Sequence, residues 1–329
     1  MADVTRRERA MGAVLGLFVG DALGLGPHWY YDLKALRADY GEWITDYMPP
    51  KEGRYHDGCR AGDISQTGQV ALLLLKSLAE EGEYKEEKFT AHLDSFLEGL
   101  DGTPKSGRYT DIAMRKVWEA RHSGLGWNEA AGLSDTGEAA IRGVVLAAHY
   151  ADTPRELAKL AAGNIHLTHA EPFVMAQSLA FILSVCRLIR GKSLKSAGKS
   201  LMGWGQQVVD TALMDVFLQP AFIHDAAADS EIVVEPPHAI SQIYGLACQI
   251  GFLAPAAYWL SCRYANDFEY AVLAAINGGG NNMARASMTG ALAGATVGIQ
   301  GIPLRFLDGL SDKDEILNYA EKVTALFDE

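Results

Sequence analysis

Several things are scarce in this 329-residue chain, and each scarcity narrows what it can be. Alternating apolar and polar runs are nearly missing. Ile232–Val234 is the one short β-branched run, and it is too brief to carry a sheet. Sandwiches, barrels and doubly wound sheets are thereby excluded. Cysteine occurs four times, at Cys59, Cys186, Cys248 and Cys262, in spacings that match no zinc pattern. Cys186 and Cys248 lie in apolar runs, so buried, reduced thiols and a cytoplasmic location are expected. Positive charge is in deficit: 29 Lys and Arg against 41 Asp and Glu leave a net charge of -12. That balance argues against non-specific nucleic-acid binding. No uninterrupted run of about 18 apolar residues is read, which predicts no membrane span. Met1–Ala10 is polar and charged and predicts no secretory leader. No low-complexity linker and no fixed-period repeat divide the chain, so 1–329 is expected to be a single domain and not a solenoid.

What is present is helix after helix. Glu8–Leu23 places Met11, Val14, Leu15, Phe18 and Ala22 at helical spacing and ends at Gly24-Leu25-Gly26-Pro27. An aromatic segment, His28 to Asp32, and a loop containing Pro49 and Pro50 follow. The same periodicity predicts helices over Gln66–Leu78, Glu86–Leu100, Thr110–Arg121, Gly137–Tyr150, Thr153–Ala162, Pro172–Arg190 and Lys195–Leu218. Further helices are predicted over Ile240–Tyr264, with a break near Pro255, and over Asp267–Ile276, a stretch from about Asn281, and Lys313–Phe327. The acidic, proline-containing stretch His224–His238 reads as a mobile surface loop or lid. The expected fold is therefore all-α, with ten or more helices.

Polar clusters recur where these helices begin. Asp21 interrupts an apolar helix and must find a donor or a cation, since an unpaired buried carboxylate is costly. Asp63 with Gln66, Asp135 with Glu138, and Thr168 with Glu171 each have capping-box spacing. Each pair also admits a second reading, in which its oxygens face a ligand. Ser65, Gln66 and Thr67 would contribute to that ring. Gly137 would bring backbone N–H groups toward a phosphate, and His169 would donate to a phosphate or a hydroxyl. Gly278-Gly279-Gly280-Asn281-Asn282 precedes a helix rich in Ala and Gly, and its N–H groups and helix dipole would suit an anion. The plainer alternative is that the glycines end one helix and Asn281 or Asn282 caps the next.

Taken in order, these pieces resemble the ADP-ribosylglycohydrolase superfamily. Within it they are most similar to the branch with the jellyfish J-type lens crystallins and selenoprotein J. The resemblance runs from about Met11 to Phe306 and rests on GDALG at Gly20–Gly24, PHWYYD at Pro27–Asp32 and GDISQTGQ at Gly62–Gln69. LTHAEP at Leu167–Pro172, GGGNNMARA at Gly278–Ala286 and GIPLRF at Gly301–Phe306 complete it. It implies a compact all-α fold with a central cleft. In active members that cleft holds two magnesium ions and an ADP-ribosyl group, whose bond to an acceptor is hydrolysed.

The chain departs from the active pattern where the resemblance places metal ligands. Ser65, Gln66 and Thr67 stand for a threonine and two aspartates, Asn281 and Met283 stand for two more aspartates, and His28 or Trp29 stands near a further acidic position. Magnesium ordinarily takes at least one or two carboxylates. No confident metal ligand therefore remains, and Ser65, Gln66, Thr67 and Asn281 are remnant positions for at most a weak magnesium site. Three readings stay open. One is a hydrolase with Asp63, Asp21, Asp32 and His28 as catalytic candidates. Another is a reader of an ADP-ribose-like small molecule, held by Ser65, Gln66, Thr67, Asp135, Gly137, Glu138, Thr168, His169, Gly279, Gly280, Asn281 and Asn282. The third is a crystallin-like structural protein. No nucleic-acid, membrane or protein partner is expected.

Overall fold

The computed structural model describes residues 4–100, 111–209 and 223–328. Among these residues there is no strand, only three isolated β-bridges, and sixteen α-helices. In order they are α1 Arg6–Leu25, α2 Leu33–Tyr40, α3 Gln66–Glu81, α4 Glu86–Glu98, α5 Ile112–His122, α6 Glu138–His149, α7 Pro154–His166 and α8 Pro172–Ile189. Then come α9 Leu194–Gly205, α10 Ile223–Ala228, α11 Ile240–Tyr244, α12 Ile250–Arg263, α13 Phe268–Asn277, α14 Asn282–Val297, α15 Leu304–Gly309 and α16 Lys313–Thr324. The all-α expectation holds.

The chain is organised around α1 and α14, which run antiparallel with their backbones in contact. On α1, Gly12, Gly16, Gly20 and Gly24 recur every fourth residue and so share one face. A Cβ added at these positions would overlap, in turn, the backbone of Gly294, Gly290, Ala286 and Met283 on α14. The small-residue runs of the two helices are one feature, the condition for backbone-to-backbone approach. Around this pair, α3, α6, α8, α12, α13 and α16 pack their apolar faces.

Several boundaries differ from the periodicity reading, for physical reasons. Asp32 accepts a hydrogen bond from the Lys34 N–H at 2.9 Å and starts α2, a helix the aromatic run had hidden. The helix expected over Ile240–Tyr264 is split at Gly245, whose φ of +136° only glycine adopts readily, while Pro255 is accommodated inside α12. The first residues of the expected acidic loop, 224–228, belong to α10, which begins at Ile223. The predicted helix starting at Thr110 is described from Asp111 onward, and the one predicted to Leu218 is described only to Val209, the remainder lying outside the described residues. The 18-residue α8 has a mean hydropathy of 1.7 and is long and apolar enough to cross a bilayer, unlike the sequence reading. Here it is packed inside the fold, with Gln177, Ser178 and Ser184 buried along it.

Candidate functional site

Six separate segments converge on one cavity of about 180 Å³. A cavity of about 150 Å³ admits a benzene ring, so this one has room for a ring-sized group. Its walls come from the loop after α1 (His28, Trp29), the start of α3 (Ser65, Thr67) and the start of α5 (Asp111, Ile112, Arg115). The start of α6 (Thr136, Glu138), the loop before α12 (Cys248) and the start of α14 (Asn281, Met283) complete them. Helix starts thus meet around a common space.

The aromatic wall is held under backbone strain. Trp29 has a φ of +63° and His56 one of +67°, values that cost a side chain with a Cβ. Three hydrogen bonds fix Trp29 there. Its N–H donates to the Gly280 carbonyl at 3.0 Å, the Gly280 N–H donates to the Tyr30 carbonyl at 2.7 Å, and Arg54 donates to the Trp29 carbonyl at 3.2 Å. The His28 ring stacks on the Trp29 ring, centroids 5.4 Å apart, and lies 5.1 Å from His56. Burial, with His56 second, holds His28 well below its ordinary range, so the ring is neutral.

Two carboxyl groups face the same space. Asp111 accepts from the Met114 N–H at 2.8 Å and caps α5. The residue keeps some surface, yet its carboxyl is pushed up to about 7, by burial first and by Glu138 second. Glu138, 8% exposed, is also raised by burial, while a Thr136 hydrogen bond and Arg142 oppose the shift. Its Oε2 has no hydrogen-bond partner. The Cys248 thiol is pushed up to about 12, by burial and then Glu138, and stays protonated. A protonated thiol is a poor nucleophile.

Of the residues singled out from sequence, His28, Ser65, Thr67, Glu138 and Asn281 meet at the cavity. The three candidate catalytic aspartates do not line it. Asp21 is fully buried and accepts from both the N–H and the hydroxyl of Ser65, each at 2.6 Å. It braces the start of α3. Asp63 accepts from the Ser311 hydroxyl at 2.7 Å and the Arg60 N–H at 2.9 Å. Asp32 is an exposed cap on α2.

The expected capping pairs are also reassigned. Ser65, not Asp63, caps α3, and Gln66 is buried in its first turn. Gly137 precedes α6 without a side-chain cap, because a Cβ there would press on Met288 and Leu253. Asp135 is exposed, and its carbonyl holds the Ile250 N–H at 2.9 Å. Glu171 itself caps α8, leaving Thr168 and His169 buried behind Thr136.

The glycine loop is turned inward. The N–H groups of Gly280 and Asn281 donate to the carbonyls of Tyr30 and Leu246, both at 2.7 Å, and Arg285 donates to the Gly279 carbonyl at 2.5 Å. Asn281 caps α14 through the Ala284 N–H at 3.2 Å, and Asn282 donates to the Pro27 and Ile276 carbonyls at 3.1 Å. The expected anion cradle at Gly279 and Gly280 is a packing device.

Asp111, Arg115 and the capping role of Ser65 escaped the sequence reading. Asp111 looked like an ordinary helix start, and no local signal tells which distant segments will face it. The residues at the family's metal positions do not fit a magnesium pair. The Ser65 hydroxyl is committed to Asp21 and the Gly68 N–H, Asn281 to its cap, and Met283 offers sulfur. Among the described residues no group of three or more His, Cys, Asp or Glu could hold a metal.

Comparison with known proteins agrees with this architecture. Residues 2–329 match the ADP-ribosylglycohydrolase family, and the chain belongs to that family. An uncharacterized protein of Archaeoglobus fulgidus is 26% identical over 324 residues, covering 97% of each chain. A solved structure described as an ADP-ribosylglycohydrolase-related protein complex aligns with a TM-score of 0.64 at 22% identity, covering 98% of this chain and 99% of the other.

Proposed function

We propose that this family member hydrolyses a glycosidic bond of an ADP-ribosyl or related ribosyl compound, using two cavity carboxyl groups in place of a metal pair. The observation that carries the reading is the joint presence of Asp111 and Glu138 at one cavity, both with ionisation displaced upward. Paired carboxyl groups in unlike environments are the usual machinery of glycoside cleavage.

The roles follow from the surroundings. Asp111, raised to about 7, carries its proton through much of the neutral range and gives it to the departing group. Glu138 has Arg142 and a Thr136 hydrogen bond favouring its charged form. It takes the proton of the attacking water and stabilises positive charge developing on the sugar ring. Trp29 offers a flat wall against which one ring can lie.

The affinity with the J-type crystallin and selenoprotein J branch belongs to the same proposal, supported by the motifs between Gly20 and Phe306. So do a cytoplasmic setting and a small-molecule ligand as the partner. The neutral residues at the metal positions favour a second reading, a binding protein without turnover. Product release from ADP-ribosylated peptide and small-molecule acceptors, with and without a chelator, separates the two. Chelator-insensitive release that is lost in Glu138→Gln is expected. Binding of ADP-ribose by calorimetry without any release would replace the hydrolase by the reader, and neither binding nor release would remove both.

A further inference from the structure

Behind Glu138 lies a buried polar chain that the proposed chemistry does not touch. Arg142 is fully buried on α6, and its Nε and Nη2 donate to the side chain and carbonyl of Asn164 at 2.8 and 2.6 Å. Nη2 also donates to Thr168 Oγ1 at 2.8 Å. Thr168 Oγ1 lies 2.8 Å from His169 Nδ1, and His169 Nε2 lies 3.1 Å from Thr136 Oγ1. Glu138 adjoins this end of the chain: its Oε2 lies 3.7 Å from His169 Nε2, and Thr136 favours its charged form. Asn164 is itself oriented, because its Nδ2 donates to the Tyr84 hydroxyl at 3.1 Å.

One direction of donation serves every link. A guanidinium can only donate, so Thr168 Oγ1 accepts from Arg142, and its own hydrogen is available to His169 Nδ1. Nδ1 then accepts, and the ring proton sits on Nε2. From there it points at Thr136 Oγ1, with Glu138 Oε2 at 3.7 Å. Thr136 accepts that proton and passes its own to the Glu138 carboxylate, the neighbouring Ser134 hydroxyl at 3.2 Å being the competing partner. His169 is fully buried between two hydroxyls and stays neutral: burial first, and Arg142 second, lower it to about 3.

We propose that Arg142, Thr168, His169 and Thr136 form a one-way hydrogen-bond chain that positions Glu138 from the protein side and holds its carboxyl toward the cavity. The proposal rests on the cavity being the reaction site described above. Asn164 and Tyr84 anchor the far end. Charged and titratable groups that bear on Glu138 are Asp111 from α5, Asp135 from the loop before α6, Arg142 from α6, His169 from the loop before α8, and Cys248 from the loop before α12. The chain supplies a neutral donor that tips Glu138 toward its ionised form against burial.

The test reads the Glu138 carboxyl directly, as the infrared difference between each protein and its Glu138→Gln counterpart across pH. Thr136→Val keeps the shape and removes the last donor, and Thr168→Val breaks the link that sets the His169 tautomer. Each is expected to raise the Glu138 titration by about one unit. His169→Gln, whose amide places a donor where Nε2–H stood, is expected to keep it near the original value. His169→Asn, which lacks that donor, serves if a valine variant does not fold, and it shifts the titration like Thr136→Val. A titration unmoved in Thr136→Val, or in His169→Asn where Thr136→Val does not fold, overturns the chain. The readout needs no turnover. If the parent protein releases no product while the titration moves as stated, the chain stands and the hydrolase reading falls. If the parent turns over and the variants move neither titration nor pH profile, the reverse holds.

Discussion

The starts of α6 and α14 look alike in sequence, each a glycine followed at once by a polar residue, yet the fold uses them in different ways. At α14 the Gly280 and Asn281 N–H groups and the Gly279 carbonyl are bonded inside the protein, and Asn281 closes the cap. At α6, Gly137 gives no side-chain cap, and Glu138 brings a carboxyl to the cavity wall, its buried Oε2 without a hydrogen bond. The glycines of α14 solve a packing problem, and the acidic residue of α6 leaves a polar valence open. The useful mark of a site is therefore a carboxyl at a shared cavity, since α14 also holds unbonded atoms, Asn282 Oδ1 and Arg285 Nη1, that do not line it.

The sharpest way to break this contrast is Glu138→Gln. Removing a proton-transfer group typically costs 10²- to 10⁴-fold in rate, and a loss of about that size is expected with the melting temperature little changed. A rate within about threefold of the parent would leave α6 no more functional than α14. Next in size is Gly280→Ala, which forces a Cβ into the Leu246 backbone at a φ of +61°. A loss of about 2 kcal/mol in stability is expected, from left-handed strain and overpacking together. Denaturant unfolding would show it, and a selective rise in KM at parental stability would restore the ligand-cradle view.

Asp111 sharpens the comparison through pH. Its carboxyl keeps the proton in the folded protein up to about 7, whereas the unfolded chain releases it near the ordinary aspartate value of about 3.9. The unfolded state therefore binds fewer protons in that window, and stability falls as pH rises through it, by up to about 1.4 kcal/mol per pH unit. Asp111→Asn should flatten that slope, and chemical unfolding at pH 5 and pH 7 would reveal an unaltered one. The smallest effect expected is that of Asn281→Ala, about 1 kcal/mol for a lost cap. Parental turnover in that variant would confirm that α14 supports the cavity without acting in it.

How much could be read in advance differs between fold and site. Pro172–Arg190 was legible almost to the residue, because Pro172 suits a first turn and an apolar run follows. Gly12, Gly16 and Gly20 fell inside the predicted helix and Gly24 was read as its stop, but none was legible as a contact stripe, since the matching residues lie some 270 positions away. The same distance problem hid the site. Asp21, Asp63 and Asp32 stood in visible motifs and proved to serve the scaffold, through bonds to Ser65, to the distant Ser311 and to the Lys34 N–H. Asp111 stood in none, and only the docking of α5 beside Glu138 gives its carboxyl an unusual proton affinity. A cap such as Asp32 is written locally, whereas the bonds of Asp21 and Asp63 and the displaced ionisation of Asp111 are made by neighbours that the linear order does not record.

The contact of α1 with α14 also decides how a guest could get in. With no side chain between the two rods along that seam, they have nothing to compress and no groove to ratchet along, so the pair behaves as a keel. His28 and Trp29 follow one rod, Asn281 and Met283 begin the other, and these walls ride on a single unyielding body. Any breathing of the cavity must then be done by the opposite planks, where Asp111 and Arg115 stand. Amide exchange slow along Gly12–Gly24 and faster at the first turn of α5 would be the trace of such a hinge.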